Sequence, residues 1–152
     1  MLRDQLTEAL KDAMRARDTV ALSTIRMMIA RMKERDIEVR SQGNHEGIGD
    51  PDVLSMMGGM IKQRQESIAA FVQGGRQELA DKETTEIAVI RRFMPSQLDA
   101  AGVEAVIAKG IVETGAAGIK GMGPLMAWLK ANYAGQMDFA AASAMAKKAL
   151  GG

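Results

Sequence analysis

MIKQRQESIAAFVQGGRQELADKETTEIAVIRRFMPSQL, residues 60–98, reads as two helices joined at Gly74-Gly75 and stopped by Pro95. Ile61, Ile68, Phe71 and Val72 recur at helical spacing before the glycines, and Leu79, Ile87, Ile90 and Met94 do so after them. Each half therefore carries one apolar side. Two adjacent glycines admit positive φ and break the first helix, while Pro95 lacks a backbone N–H and pushes Met94 out of the α region. An antiparallel helical hairpin is the expected result.

Upstream, Leu2, Leu6, Ala9, Leu10, Ala13 and Met14 line one face of an amphipathic helix. Asp18 is placed to cap a second helix, whose stripe of Leu22, Ile25, Ile29 and Met32 runs toward Arg40. Its charged side mixes both signs and reads as a solvated face. Ser41 to Asp50 holds three glycines and no apolar period, which marks a loop. Asp50-Pro51 then looks like a cap followed by proline at the first helical position. The third helix runs from there to about Gln73. Gly58-Gly59 inside it is a weak point: the helix kinks there, or a neighbouring helix approaches too closely for side chains.

After Pro95 arginine disappears, and alanine and glycine become dense. A domain boundary falls there, dividing residues 1–95 from residues 96–152. Asp99 is placed to cap a helix that Gly115 ends, Pro124 to open another, and Asp138 to cap a last one. No strand pattern appears. The expected architecture is all-α, with a four-helix N-terminal domain followed by a small three-helix C-terminal domain.

Composition narrows the chemistry. The 152 residues contain no cysteine and a single histidine, His45, so disulfides, thiolate nucleophiles, Cys-based zinc sites and most imidazole chemistry are excluded. Thirteen methionines against 3% aromatics imply an aliphatic, Met-filled core. No apolar run approaches the roughly 20 residues needed to span a bilayer, and charges punctuate Met1 to Arg17, so no membrane association is expected and the cytoplasm is the expected compartment. Glu78, Asp81, Glu83 and Glu86 open a helix, where the N-terminal dipole favours acids, and need no catalytic role. Gly115 to Gly123 follows a helix and misses the order of a P-loop. No metal, cofactor or catalytic centre is expected from the chain by itself.

Net charge is only +1, but after Glu113 four lysines (Lys120, Lys130, Lys147, Lys148) stand against Asp138 alone. Lys120, Gly121 and Gly123 place flexible amides and an ammonium at a helix start, an arrangement that suits a phosphate oxygen. Lys130, Lys147 and Lys148 could extend that surface along a nucleic-acid backbone, or simply keep an Ala- and Gly-rich module in solution. Lys62, Arg64 and Arg76 form a second basic group, whose ordinary use is interhelical pairing with Glu66, Glu78 or acids of the first two helices. Trp128 with Met122, Met126 and Met145 could line a groove for a partner helix, although core packing is their commoner use.

A family pattern runs through the same residues. Lys62-Gln63-Arg64, Ser67, Phe71, Gly75-Arg76, Glu78-Leu79, Glu83, Glu86, Met94-Pro95 and Gln97-Leu98 resemble the YqeY-like family. So do Ala21-Leu22 and Ile25-Arg26-Met27 upstream, and Lys120, Met122-Gly123, Met126, Leu129, Tyr133, Gly135 and Asp138 downstream. The chain departs from that pattern at Gly102 and at Gly58-Gly59. The resemblance implies kinship with the C-terminal helical tail of the GatB subunit of the tRNA-dependent amidotransferase. It implies a stand-alone tRNA-binding module, or an accessory and protein partner in tRNA-dependent amino-acid amidation, without the catalytic domain of that carbon–nitrogen ligase. Carried over by position, Lys120 to Gly123, Lys130, Gly135, Lys147 and Lys148 form the implied tRNA surface. The alternative is a protein-interaction adaptor with an apolar Met-rich helical surface.

Overall fold

The structure is a computed structural model that describes residues 1–151. Seven α-helices and one short 3-10 turn make up the elements, and no strand occurs among the described residues, in agreement with the all-α expectation. The helices are α1 (Leu2–Ala16), α2 (Thr19–Arg40), α3 (Asp50–Gln73), α4 (Gln77–Arg91), α5 (Ala100–Thr114), α6 (Met122–Tyr133) and α7 (Phe139–Ala149), with the 3-10 turn at Ile119–Gly121. The chain divides into two compact units, Met1–Met94 and Pro95–Gly152.

In the first unit the core is built around Leu6, Met28, Met57, Val53, Val89 and Ile90, all fully buried. Met32, Met56 and Met60 join them, so an unbranched and polarizable side chain fills much of the space that aromatics fill elsewhere. Four expected core positions lie outside it: Phe71 and Leu79 are half-buried, and Met14 and Val72 are 53% and 52% exposed.

Local signals set the helix ends. Arg17 adopts a left-handed conformation after α1, and Asp18 accepts from the Ala21 amide at 3.1 Å to start α2. Gly75 takes φ +71° at the α3–α4 turn, and the Arg76 amide donates back to the Phe71 carbonyl at 2.8 Å. Asp50 is a correction. The N-cap position of α3 is Gly49, and the Asp50 carboxylate instead accepts from the Leu2 amide at 3.1 Å, capping α1 from 48 residues away. α3 itself continues through Gly58-Gly59 without a break. A Cβ at either glycine would meet nothing within 4 Å, so close approach of another helix does not explain them. Gly59 lies in a polar groove flanked by Arg31, Glu34, Arg35 and Glu38.

Two ion pairs tie this unit together across long sequence separations. Arg3 donates to both Asp36 oxygens at 2.7 and 2.9 Å and to the Ile48 carbonyl, while the Ile48 amide donates to Asp36 at 2.9 Å. The loop after α2 is thereby held against α1 and α2. Gly47, at φ +90°, sits where a Cβ would lie 2.5 Å from the Asp36 carboxylate. The second pair joins Arg64, only 6% exposed, to Glu86 at 2.9 Å, with Glu83 at 3.9 Å. The remaining Arg64 donors reach the Met60 carbonyl and the Met27 sulfur. Pairing of a residue ten before the glycine turn with one eleven after it shows that α3 and α4 run antiparallel.

The second unit packs α5, α6 and α7 around Val103, Ile107, Leu125, Leu129, Ala142 and Ala146. Asp99 and Asp138 cap α5 and α7 as expected, accepting from Gly102 at 2.7 Å and Ala140 at 2.9 Å. α5 meets α6 at Gly110, where a Cβ would lie 2.8 Å from both Leu125 and Trp128. The segment before α5 is pinned by the Leu98 amide donating to Gln136 at 2.8 Å and by the Gln97 side chain donating to the Gly135 carbonyl.

Three outcomes follow from these contacts. Replacing Glu86 with Ala leaves a buried guanidinium with only the more distant Glu83, and a loss of about 3 kcal/mol is expected by urea unfolding, larger than for Arg64→Met combined with Glu86→Leu, which removes both charges of the pair. Asp36 is held below the usual carboxylate range, chiefly by the hydrogen bond from Arg3, against a smaller opposing effect of burial. Its contribution is complete above the unfolded carboxylate pKa of about 4 and is lost as pH falls through the lower folded value. Asp36→Asn should therefore weaken the fold at neutral pH and flatten its acid limb, as measured by unfolding between roughly pH 2 and 7. Gly110→Val forces α5 off α6, and its thermal transition should fall by several degrees at least, with loss of the near-UV signal of Trp128.

Candidate nucleic-acid interface

The second unit places all its cations on the surface. Lys109, Lys120, Lys130, Lys147 and Lys148 are each exposed. Lys130 occupies the last turn of α6, and Lys147 and Lys148 that of α7, where the helix carbonyl ends favour positive charge. Lys120 belongs to the 3-10 turn that leads into α6.

The expected amide cradle is narrower than its sequence suggests. The Gly121 amide donates to the Gly118 carbonyl at 3.0 Å, and the Met122 amide donates to Ile119. Pro124 has no N–H, which leaves the exposed Gly123 backbone beside Lys120. Gly121 is there for packing: a Cβ on it would lie 2.7 Å from that of Ala116. Gly135 presents no surface at all. It is buried at φ +77°, and its carbonyl accepts from Gln97. The turn there is one that glycine makes without strain.

The secondary basic group does not gather into one patch. Arg64 is buried in its pair with Glu86, the interhelical use that basic residues of this kind commonly have, though with a different acid from those expected. Arg76 pairs with Glu78 at 2.6 Å on the surface beside the glycine turn. Lys62 is exposed on α3. The acids at the start of α4 are accounted for in the same way, since Glu78, Glu83 and Glu86 face arginines and Asp81 accepts from Gln77 at 2.8 Å. No group of three His, Asp or Glu side chains able to hold a metal occurs among the described residues.

Charge pairing separates the two units. All seven ion pairs among the described residues fall within residues 1–94. Among the described residues no lysine of the second unit has a carboxylate within 4.0 Å, which leaves its ammonium groups open to an external anion. Stacking has less to offer. Trp128 and Tyr133 are half-buried and tilted against each other with ring centroids 5.7 Å apart, and Met122, Met126 and Met145 pack against the second core. None of the described helices is long and apolar enough to cross a membrane.

Comparison with known proteins agrees with the residue pattern. The profile of the family described as "Yqey-like protein" matches residues 3–150. The Eremothecium gossypii protein named "Altered inheritance of mitochondria protein 41, mitochondrial" is 32% identical over 105 residues, covering 68% of this chain and 54% of that protein. Its Kluyveromyces lactis namesake is 31% identical over 88 residues, covering 58% and 45%. An uncharacterized Schizosaccharomyces pombe protein is 29% identical over 94 residues, covering 62% and 72%. The chain thus spans about half the length of the mitochondrially named relatives. A match that takes in nearly every residue from α1 to α7 shows that this chain belongs to the YqeY-like family.

Proposed function

We propose that the chain is a non-catalytic helical module that binds tRNA through its second unit and serves as an accessory in tRNA-dependent amino-acid amidation. The observation that carries this reading is the set of exposed lysines on that unit, none paired with a carboxylate among the described residues, while the ion pairs found there are confined to residues 1–94. An ammonium without an internal partner keeps its full attraction for phosphate, and each contact releases condensed counterions from the nucleic acid. The resemblance to the GatB tail supplies the kind of RNA. Absence of a stacking platform or a base-reading arrangement favours recognition of backbone and shape over sequence.

The proposed surface is Lys120 with Gly123, Lys130, Lys147 and Lys148; Gly121, whose amide is spent on Gly118, and buried Gly135 leave the set. The names of the Eremothecium gossypii and Kluyveromyces lactis relatives place those proteins in mitochondria, and tRNA is present there as in the cytoplasm, the compartment proposed for this chain. The adaptor reading loses part of its apolar surface, because Met122, Met126 and Met145 are half-buried against the second core.

Filter binding of unfractionated tRNA across a salt series tests the reading. Log affinity should fall linearly with log salt, and Lys120→Ala, Lys130→Ala and Lys147→Ala combined should reduce the slope by about 2 to 3 and weaken binding at least about tenfold. Salt-independent binding, or none, would overturn it.

A further inference from the structure

One surface of the second unit is shaped for something other than a polyanion. Between α5 and α7 lies a groove of about 450 Å³, lined by Glu104, Ile107, Ala108 and Ile111 from α5 and by Met145, Lys148 and Ala149 from α7. The α5 residues follow the i, i+3, i+4, i+7 spacing of one helix face. Val112, next to Ile111, is 80% exposed, the most exposed large apolar side chain of the chain's interior positions. Around it the α5 surface is small-sided, with Ala101, Ala105 and Ala108 all exposed, so another helix could approach closely. Glu104 and Lys148 stand at the groove as opposite charges with no ion pair within 4.0 Å, between themselves or to any other described residue.

We propose that this groove is the seat of a second copy of this chain, paired about a two-fold axis. Such an axis makes the surface its own complement: Glu104 of each protomer meets the partner's Lys148, forming two equivalent pairs that satisfy all four charges. Val112 of each protomer enters the apolar floor of the other. An RNA backbone fits this face poorly, because Glu104 repels phosphate. A surface carrying one acid and one base around an apolar strip is matched by the same surface rotated. The inference goes beyond the RNA reading and withdraws Lys148 from it. A face limited to two short helices lies at the small end of specific interfaces, so the association is expected to be reversible, on the order of tens of micromolar.

Sedimentation velocity of the full chain without RNA, over roughly 1 to 500 µM, tests the pairing across the dissociation range expected here. The weight-average mass should rise from the monomer value of 16.3 kDa toward twice that. Val112→Asp should keep the chain monomeric throughout. Glu104→Lys alone and Lys148→Glu alone should each weaken association by about tenfold or more, since symmetry doubles the effect of an exposed pair, and the two together should restore it. All three side chains are exposed, and unchanged helical circular dichroism checks that the fold is intact. A constant monomer mass, or a dimer indifferent to all of these variants, would overturn the proposal. So would a Lys148→Glu variant that loses tRNA affinity while its self-association is unaltered.

Discussion

The first unit depends on the buried guanidinium of Arg64. A cation enclosed at 6% exposure is tolerated only if its donors are taken up, and here Glu86, Glu83, the Met60 carbonyl and the Met27 sulfur take them up from three helices. That set of partners specifies register. Sliding α4 by one turn against α3 would separate Arg64 from Glu86 and leave the charge enclosed, whereas a Met-rich core alone would accommodate such a slip with little resistance. The conformational definition that aromatics give many cores comes here from a polar contact.

The same logic orders the loop after α2. Asp36 accepts from Arg3 and from the Ile48 amide, and Asp50, just beyond, caps α1. Three short-range decisions are therefore settled by long-range partners: where α1 begins, how the glycine loop returns, and where α3 starts. Gly47 is the one place in that loop where only a residue without a Cβ fits, both for its φ and for the carboxylate beside it.

What was legible in the sequence was what is decided locally. Asp18, Asp99 and Asp138 cap the helices that follow them, and Gly75 and Gly115 end those that precede them, because each acts within a few residues. Asp50 has the same local appearance and a different partner, since a carboxylate chooses by geometry and Leu2 lies within reach in space. Arg64 was readable as an interhelical partner, but naming Glu86 required the hairpin register. Gly110 carried no signal among many glycines; its role appears only when Leu125 and Trp128 are set against it. For the candidate interface, the exposure of the lysines followed from residue type, while the burial of Gly135 and the spent amides of Gly121 and Met122 followed from turn geometry that spacing does not encode.

The uneven placement of ion pairs has a consequence for how this protein responds to its surroundings. Residues 1–94 hold every internal pair among the described residues, so protonation of carboxylates and screening by electrolyte act on their cohesion, while the three-helix unit has no such pair and is held by packing and helix caps. Acid and electrolyte thus act on the first half far more than on the second. A single melting temperature for the whole chain would average two units that answer differently to pH and electrolyte, and would describe neither.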